Sequence, residues 1–183
     1  MRFLPVDELN AFTDSLQAAS QPDTEAKRVE VDKLLDDALD FLLIAYFNGS
    51  QDAAEMLGIE VEPNMDEAKE AINRKVAGEN YIERLREYAP LGDIAAILRV
   101  LDTDMTRVYN TAVLNTAKAN GATKKTWHTM MDDKVRDTHQ PLEGVTIPID
   151  AEFYTWDGDH AQQPSGFTKA ENNVNCRCIL SVS

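Results

Sequence analysis

The sequence predicts an α+β fold, in which a mostly α-helical N-terminal arm precedes a small α+β module with a short sheet. Apolar residues recur at three- and four-residue steps through residues 24–47 and 94–116, the spacing of one helix face. After Gly121 this periodicity stops, and Gly, Pro, Asn and Asp separate short extended runs. We therefore predict a boundary near residue 121, between an arm of residues 1–120 and a module of residues 121–183.

Turn and cap residues divide the first half of the arm into helices. We expect a short helix within residues 5–16 and a longer one over residues 24–47. Asn48-Gly49 should end the longer helix, because glycine tolerates the left-handed conformation found at helix C-termini. Ser50 is a suitable N-cap for a further short helix over residues 50–57.

The second half of the arm begins with an N-cap signal at Asn64, which Glu67 follows three residues later. Gly78 should break this helix. Helical periodicity then runs over residues 79–120, with an interruption at residues 90–92. The arm side chains that we expect in the core are Leu39, Leu42, Leu43, Leu98, Leu101 and Val108.

Short extended runs predict the strands of the module. Residues 126–131, 145–149 and 176–182 are strand candidates, and residues 153–156 are a weaker one. Residues 154–173, which are rich in Gly, Asp, Gln and Pro, should form a loop that bulges from the surface.

The charge of the chain excludes some classes of function. Lys and Arg number 18 against 32 Asp and Glu, a formal net charge of −14. Such a surface repels phosphate backbones, so it disfavours non-specific nucleic-acid binding by the chain as a whole.

The most apolar run, residues 38–47, is too short to span a membrane, and no apolar signal core precedes it. We therefore expect synthesis in the cytoplasm and no membrane partner.

Two blocks of residues in the module form a recognisable frame. The first block comprises Trp127, Asp132, Arg136, His139, Gly144 and Phe153, and the second is Asn175-Cys176-Arg177-Cys178. This frame resembles that of the Mu F-like head morphogenesis proteins of tailed phages. The resemblance covers roughly residues 100–183, and in the preceding helix it includes Thr103, Arg107 and Asn110.

The resemblance implies a role in the phage head. Members of this family are minor head components that associate with the portal vertex and the capsid interior, and some influence DNA packaging or ejection. It implies as partners the portal protein, the major capsid or scaffolding protein and packaged DNA, with localisation in the virion. Because the family pattern treats the two blocks as one unit, residues 126–131 and 176–182 should be neighbouring strands, and residues 145–149 should complete the sheet.

Cys176 and Cys178 are too close in sequence for an ordinary disulfide. Side chains two residues apart on a strand share a face, so the two thiols with His139 could form a Cys₂His zinc corner. Asp132 or His128 would be the fourth ligand. The alternative is that both thiols pack in the core beside Trp127.

The remaining motif residues have structural roles as the simplest interpretation. Arg136 could pair with Asp132 one helical turn away, or hold the turn at residues 175–177. Trp127 should anchor the core, and Gly144 should occupy a turn with positive φ.

Three functions fit these observations, and we assign no catalytic residue. The first is a structural head component, and the second is a zinc-stabilised adaptor. The third is a toxin-type or nuclease-like effector, since homologous domains occur in polymorphic toxins. In that case His139, Arg136 and His128 would supply the acid–base and phosphate-binding groups.

Overall fold

The computed structural model describes residues 24–62 and 64–183, with side chains described from residue 32 onward. The short helix expected within residues 5–16 lies outside this part of the chain. The arm contains helices α1 (Thr24–Leu57), α2 (Met65–Asn73), α3 (Tyr81–Tyr88) and α4 (Ile94–Ala119), with a 3₁₀ turn at Ala89–Leu91. The module contains strands β1 (Lys124–His128), β2 (Thr146–Pro148), β3 (Phe153–Tyr154), β4 (His160–Ala161) and β5 (Ile179–Val182), a 3₁₀ turn at Gln140–Leu142 and the short helix α5 (Ala170–Asn173). The predicted α+β class is confirmed.

Helix α1 is continuous through Gly49, so the predicted stop at Asn48-Gly49 is wrong. A Cβ at Gly49 would lie 2.3 Å from the backbone oxygen of Tyr109 on α4, so the glycine is there for a close helix crossing. Ser50 is likewise inside the helix, where it accepts a hydrogen bond from Thr116 at 3.0 Å. The helix ends at Gly58, which has φ +66°.

Asparagine caps begin the next two helices. The Asn64 side chain accepts from the backbone N–H groups of Asp66 and Glu67, as the sequence predicts. The helix ends at Asn73, before Gly78, and residues 76–79 form a bridged turn. Asn80 and Glu83 then form a capping box at the start of α3.

Helix α4 lies at the centre of the fold, where it packs against α1, α2, α3 and β5. Its Arg107 is buried and donates to the carbonyl oxygens of Ala71 and Ile72, the last buried residues of α2. The Asp104 carboxylate accepts a hydrogen bond from Nε of the same guanidinium at 2.8 Å, and it also accepts one from Arg84. These bonds satisfy the buried charges and fix the end of α2 on α4.

The predicted core positions are right for Leu42, Leu101 and Val108, which are buried. Leu39, Leu43 and Leu98 are only half-buried and lie at the edge of the core. The buried face of α1 is shifted because small residues allow α4 to approach closely. That face comprises Leu34, Ala38, Phe41, Leu42, Ala45, Tyr46, Gly49, Ala53 and Ala54.

The three-stranded sheet has the order β2-β1-β5 and is antiparallel throughout. Trp127 lies opposite Leu180 in the β1–β5 ladder. The predicted strand neighbours are therefore confirmed. The strand boundary is different, because β5 begins at Ile179 and both cysteines precede it in an extended segment.

Residues 154–173 are not a surface excursion, and that prediction is wrong. They contain the β3–β4 hairpin and α5, and they contribute buried side chains to the core. Phe167 packs on Trp127 with 5.8 Å between ring centroids. Gln163 donates to the carbonyl of Arg107 at 3.0 Å, which fastens the segment to α4.

The hydrophobic core is continuous across residue 121. One cluster of buried side chains includes Leu42 and Val108 of the arm with Trp127 and Leu180 of the module. Secondary structure thus changes type near the predicted boundary while the core does not divide there. Among the described helices, none combines the length and apolarity needed to cross a membrane.

The close crossing at Gly49 generates a stability prediction. Alanine at an ordinary helix position is favoured over glycine by roughly 1 kcal/mol. Here Gly49→Ala should instead destabilise the fold by about 1–3 kcal/mol, because the added Cβ overlaps the Tyr109 backbone. Urea unfolding would measure this, with Gln51→Ala at an exposed position of the same helix as the control. A Gly49→Ala protein as stable as the wild type would contradict the close crossing.

Candidate metal centre

His139 is positioned by the turn that follows β1. Its backbone N–H donates to the carbonyl of Arg136 at 2.9 Å, and the 3₁₀ turn begins at the next residue. The imidazole is 1% exposed and lies between Trp127 and Phe167, each with its ring centroid 5.3 Å away. One ring edge, carrying Nδ1, faces the two cysteines.

Asn110 of α4 positions the cysteines. Its side-chain amide donates to the carbonyl of Cys178 at 3.1 Å and accepts from the N–H of Leu180 at 2.9 Å. The backbone N–H of Asn175 donates to Thr103 Oγ1 at 3.1 Å, which fixes the start of the same segment. Because the chain is extended, Cys176 and Cys178 both point into the core while Arg177 points outward.

The three ligand atoms have spacings suited to a metal. His139 Nδ1 lies 3.7 Å from Cys176 Sγ and 3.6 Å from Cys178 Sγ, and all three atoms lie within 4.8 Å of one another. In a tetrahedral zinc site, bonds of about 2.0–2.1 Å to nitrogen and 2.3 Å to sulfur put those atoms about 3.6 Å apart. Both thiols are free. The three side chains could therefore hold a metal ion with little movement.

The two thiols are hydrogen-bonded to each other, and their pKa values shift in opposite directions. A hydrogen bond from Cys178, with a further contribution from His139, outweighs burial and holds the pKa of Cys176 well below its usual range. The same hydrogen bond, burial and the charge on Cys176 raise the pKa of Cys178. Cys176 is therefore the more acidic of the two thiols. A bound cation would favour the thiolate form of both.

One feature of the site departs from common zinc geometry. Zinc-bound histidines usually donate their second N–H to a carbonyl or carboxylate. His139 Nε2 is buried and has no hydrogen-bond partner among the described residues. It is enclosed by aromatic rings instead.

Neither candidate for the fourth ligand reaches the site, so that expectation is wrong. Asp132 is engaged by Arg177 through two hydrogen bonds of 2.6 and 2.7 Å, and this pairing lowers the pKa of the Asp132 carboxyl. His128 bonds to Ser181 at 2.7 Å and lies 3.7 Å from Glu143. Within residues 24–62 and 64–183, the metal-competent cluster contains only His139 and the two cysteines.

Arg136 adopts the second of its two predicted roles. Its guanidinium donates to the carbonyl of Val174, which holds the turn containing Asn175, a residue with φ +56°. The predicted partner Asp132 pairs with Arg177 instead. Two arginines thus join the first motif block to the second from opposite sides.

Trp127 forms the centre of the module's core, as predicted. It is 0% exposed and packs edge-on against Phe153 with 5.1 Å between centroids. Gly144 has φ +71°, and its N–H donates to the Trp127 carbonyl at 2.9 Å, so it occupies the predicted turn. The sequence analysis missed Phe167, because a single aromatic in a polar segment has no periodicity to mark it.

Asp159 is a second residue whose environment the sequence did not predict. Burial opposes its charge, yet hydrogen bonds from Thr168, Asn172 and the backbone of Lys169 outweigh this and lower its pKa to about 2. The carboxylate thus joins the residue before β4 to the residues at the start of α5. The Asp-Gly-Asp sequence at residues 157–159 signals a turn but not this set of donors.

The fold and the site define a class of protein: a helical arm that ends in a small antiparallel sheet, with a buried His/Cys/Cys corner beside it. Residues 66–181 match the family described as "Phage Mu protein F like protein". The chain belongs to this family. The match begins well before residue 100 and therefore includes α2 and α3.

Comparison with curated proteins gives a shorter similarity. NAD(+)--arginine ADP-ribosyltransferase EFV of Enterococcus faecalis (strain ATCC 700802 / V583) is 44% identical over 55 residues, which is 30% of this chain. The matched part spans only 11% of that relative's length. No solved structure matches the chain significantly. Family membership supports a phage head-associated protein.

The Asp159 cluster predicts how stability depends on pH. Its folded pKa of about 2 is below the usual 3.8, so its stabilising effect is present above about pH 4 and is lost as pH falls towards 2. This shift corresponds to about 2 kcal/mol of unfolding free energy. Asp159→Asn should flatten the acid limb in urea unfolding between pH 2 and 5. Asp133→Asn, at an exposed position, is the control. An unchanged acid limb in Asp159→Asn would contradict the assignment.

Proposed function

We propose that this protein is a minor structural component of the phage head that acts in morphogenesis at the portal vertex. Its helical arm would bind the portal protein or the capsid and scaffolding proteins, and its module would be a compact terminal unit. The observation that carries the proposal is family membership. A role in packaging or ejection of DNA would follow from this position in the head.

The surface of α1 supports a protein partner. Asp32, Asp36 and Asp40 recur every four residues and are exposed, so they form an acidic stripe on one helix face. Such a stripe is complementary to a basic surface on a partner and adds to the rate and specificity of association.

Contacts of the motif residues support a non-enzymatic role. Trp127, Arg136, Arg177 and Asp132 are engaged in packing or hydrogen bonds that hold the module together. His139 is buried among aromatic rings, whereas His128 bonds to Ser181. No described carboxylate joins the cluster around His139.

The head-assembly proposal predicts binding to a portal oligomer or a capsid shell. The double variant Asp36→Lys, Asp40→Lys should weaken that binding severalfold and reverse its salt dependence, because the stripe would repel a basic surface. Co-sedimentation at several salt concentrations would measure it. The pair Asp133→Lys, Glu171→Lys, on the exposed surface of the module, is a control of equal charge.

The wild-type protein should also leave DNA and RNA intact. Failure to bind either assembly would count against the proposal. Metal-dependent cleavage that His139→Ala abolishes would replace it with the nuclease-like alternative.

We further propose that His139, Cys176 and Cys178 bind zinc as a structural staple. The spacings of their ligand atoms and the small size of the module support this. The bound ion would join the turn after β1 to the segment before β5.

Zinc binding has a direct test in the whole chain. Metal-free protein should take up one zinc per chain and gain thermal stability, roughly 2.7 kcal/mol when free zinc is a hundred times Kd. Cys176→Ser and Cys178→Ser should abolish the gain, whereas His128→Ala should keep it. Metal-free protein that neither binds zinc nor gains stability would leave the thiols as packed core residues.

The similarity to an ADP-ribosyltransferase favours one second candidate, a toxin-type effector. In that case this chain would accompany or resemble a transferase region. Incubation with labelled NAD⁺ and arginine-containing proteins tests it. Transfer of label to arginine would favour the effector, and its absence favours the head component.

A further inference from the structure

The proposed zinc site lacks a fourth protein ligand. A tetrahedral ion bound by His139, Cys176 and Cys178 has one position left, and no other described His, Cys, Asp or Glu side chain joins the cluster. Structural zinc sites are usually closed by four protein ligands. Sites with three protein ligands hold water or another exchangeable group at the fourth position.

A small cavity lies beside the three proposed ligands. Its volume is about 20 Å³, and His139, Cys176 and Cys178 all line it. One ordered water needs roughly 10–15 Å³ measured in this way. Lys134 and Asn175, both exposed, lie at its rim. The cavity thus has room for one water molecule or a small ion, with a route from solvent.

Arg136 also lines this cavity, and one of its guanidinium donors is unused. Nη2 of its guanidinium donates to the Val174 carbonyl, as described above. Nη1 is buried and has no hydrogen-bond partner within the described ranges. Buried donors are rarely left unpaired, so an orphan N–H at a cavity of this size indicates a bound acceptor.

Charge favours an anionic acceptor. A zinc ion with two thiolates is neutral, and the neutral imidazole adds nothing. Arg136 therefore leaves one positive charge beside the open position. Apart from the proposed metal ligands, the charged side chains that line the cavity are all basic: Lys134, Arg136 and Arg177, of which Arg177 is paired with Asp132.

We propose that the metal's fourth position is an exchangeable site for water, hydroxide or another small monoanion, which Arg136 binds through Nη1. This inference rests on the proposed zinc site. It makes the centre a ligand-binding site as well as a staple. The head-assembly role does not depend on it.

The experiment uses cobalt in place of zinc in the full chain, with azide as the anionic probe. The visible spectrum of the cobalt protein should change with azide and saturate at one equivalent. Arg136→Gln should weaken azide binding about tenfold, the usual scale for loss of a charge-assisted hydrogen bond. Arg136→Lys should recover part of it. Lys134→Gln removes the same charge at the cavity rim and should have a much smaller effect.

X-ray absorption of the zinc protein gives an independent measurement. Two sulfur, one imidazole nitrogen and one further light ligand support the proposal. A cobalt spectrum unchanged by azide, or equal loss of affinity in Arg136→Gln and Lys134→Gln, overturns it while leaving the zinc staple intact. Protein that binds neither zinc nor cobalt refutes the zinc proposal and this inference together.

Discussion

The C-terminal half of the structure depends on the hydrogen bonds of the buried Asn110 side chain. It is 0% exposed at the centre of α4, and it bonds to backbone groups on both sides of Ile179. A side-chain amide can donate and accept at once, so it replaces a strand neighbour for this part of the chain. Its bonds fix where β5 begins. The position of β5 in turn sets the cysteines opposite His139.

The arm and the module are consequently interdependent. Thr103, Arg107 and Asn110 all lie on α4, and each contacts the module by a side chain or by its carbonyl. The same Arg107 holds the end of α2 through its guanidinium. Movement of one of these elements would therefore strain the other.

The module has a small core, and polar contacts compensate for its size. Its sheet has three short strands, and its aromatic cluster is built on Trp127. Three sets of polar contacts each join one segment to another. They are the pair of Arg177 and Asp132, the bond from Arg136 to the Val174 carbonyl, and the Asp159 cluster. These closures add to the burial that the module gains by sharing one core with the arm. Zinc at the His/Cys/Cys corner would add one more closure of the same kind.

The sequence by itself determined the helical arm, the cap at Asn64, the stop near Gly121, the order of the strands and the three possible metal ligands. These features follow from local periodicity, cap chemistry and a specific motif. Only the tertiary structure decided that α1 continues through Gly49, that residues 154–173 belong to the core, and that Arg177, rather than Arg136, pairs with Asp132. In each case the deciding contact joins residues far apart in the chain. Local propensity contains no information on such contacts, and burial against a distant partner outweighs it.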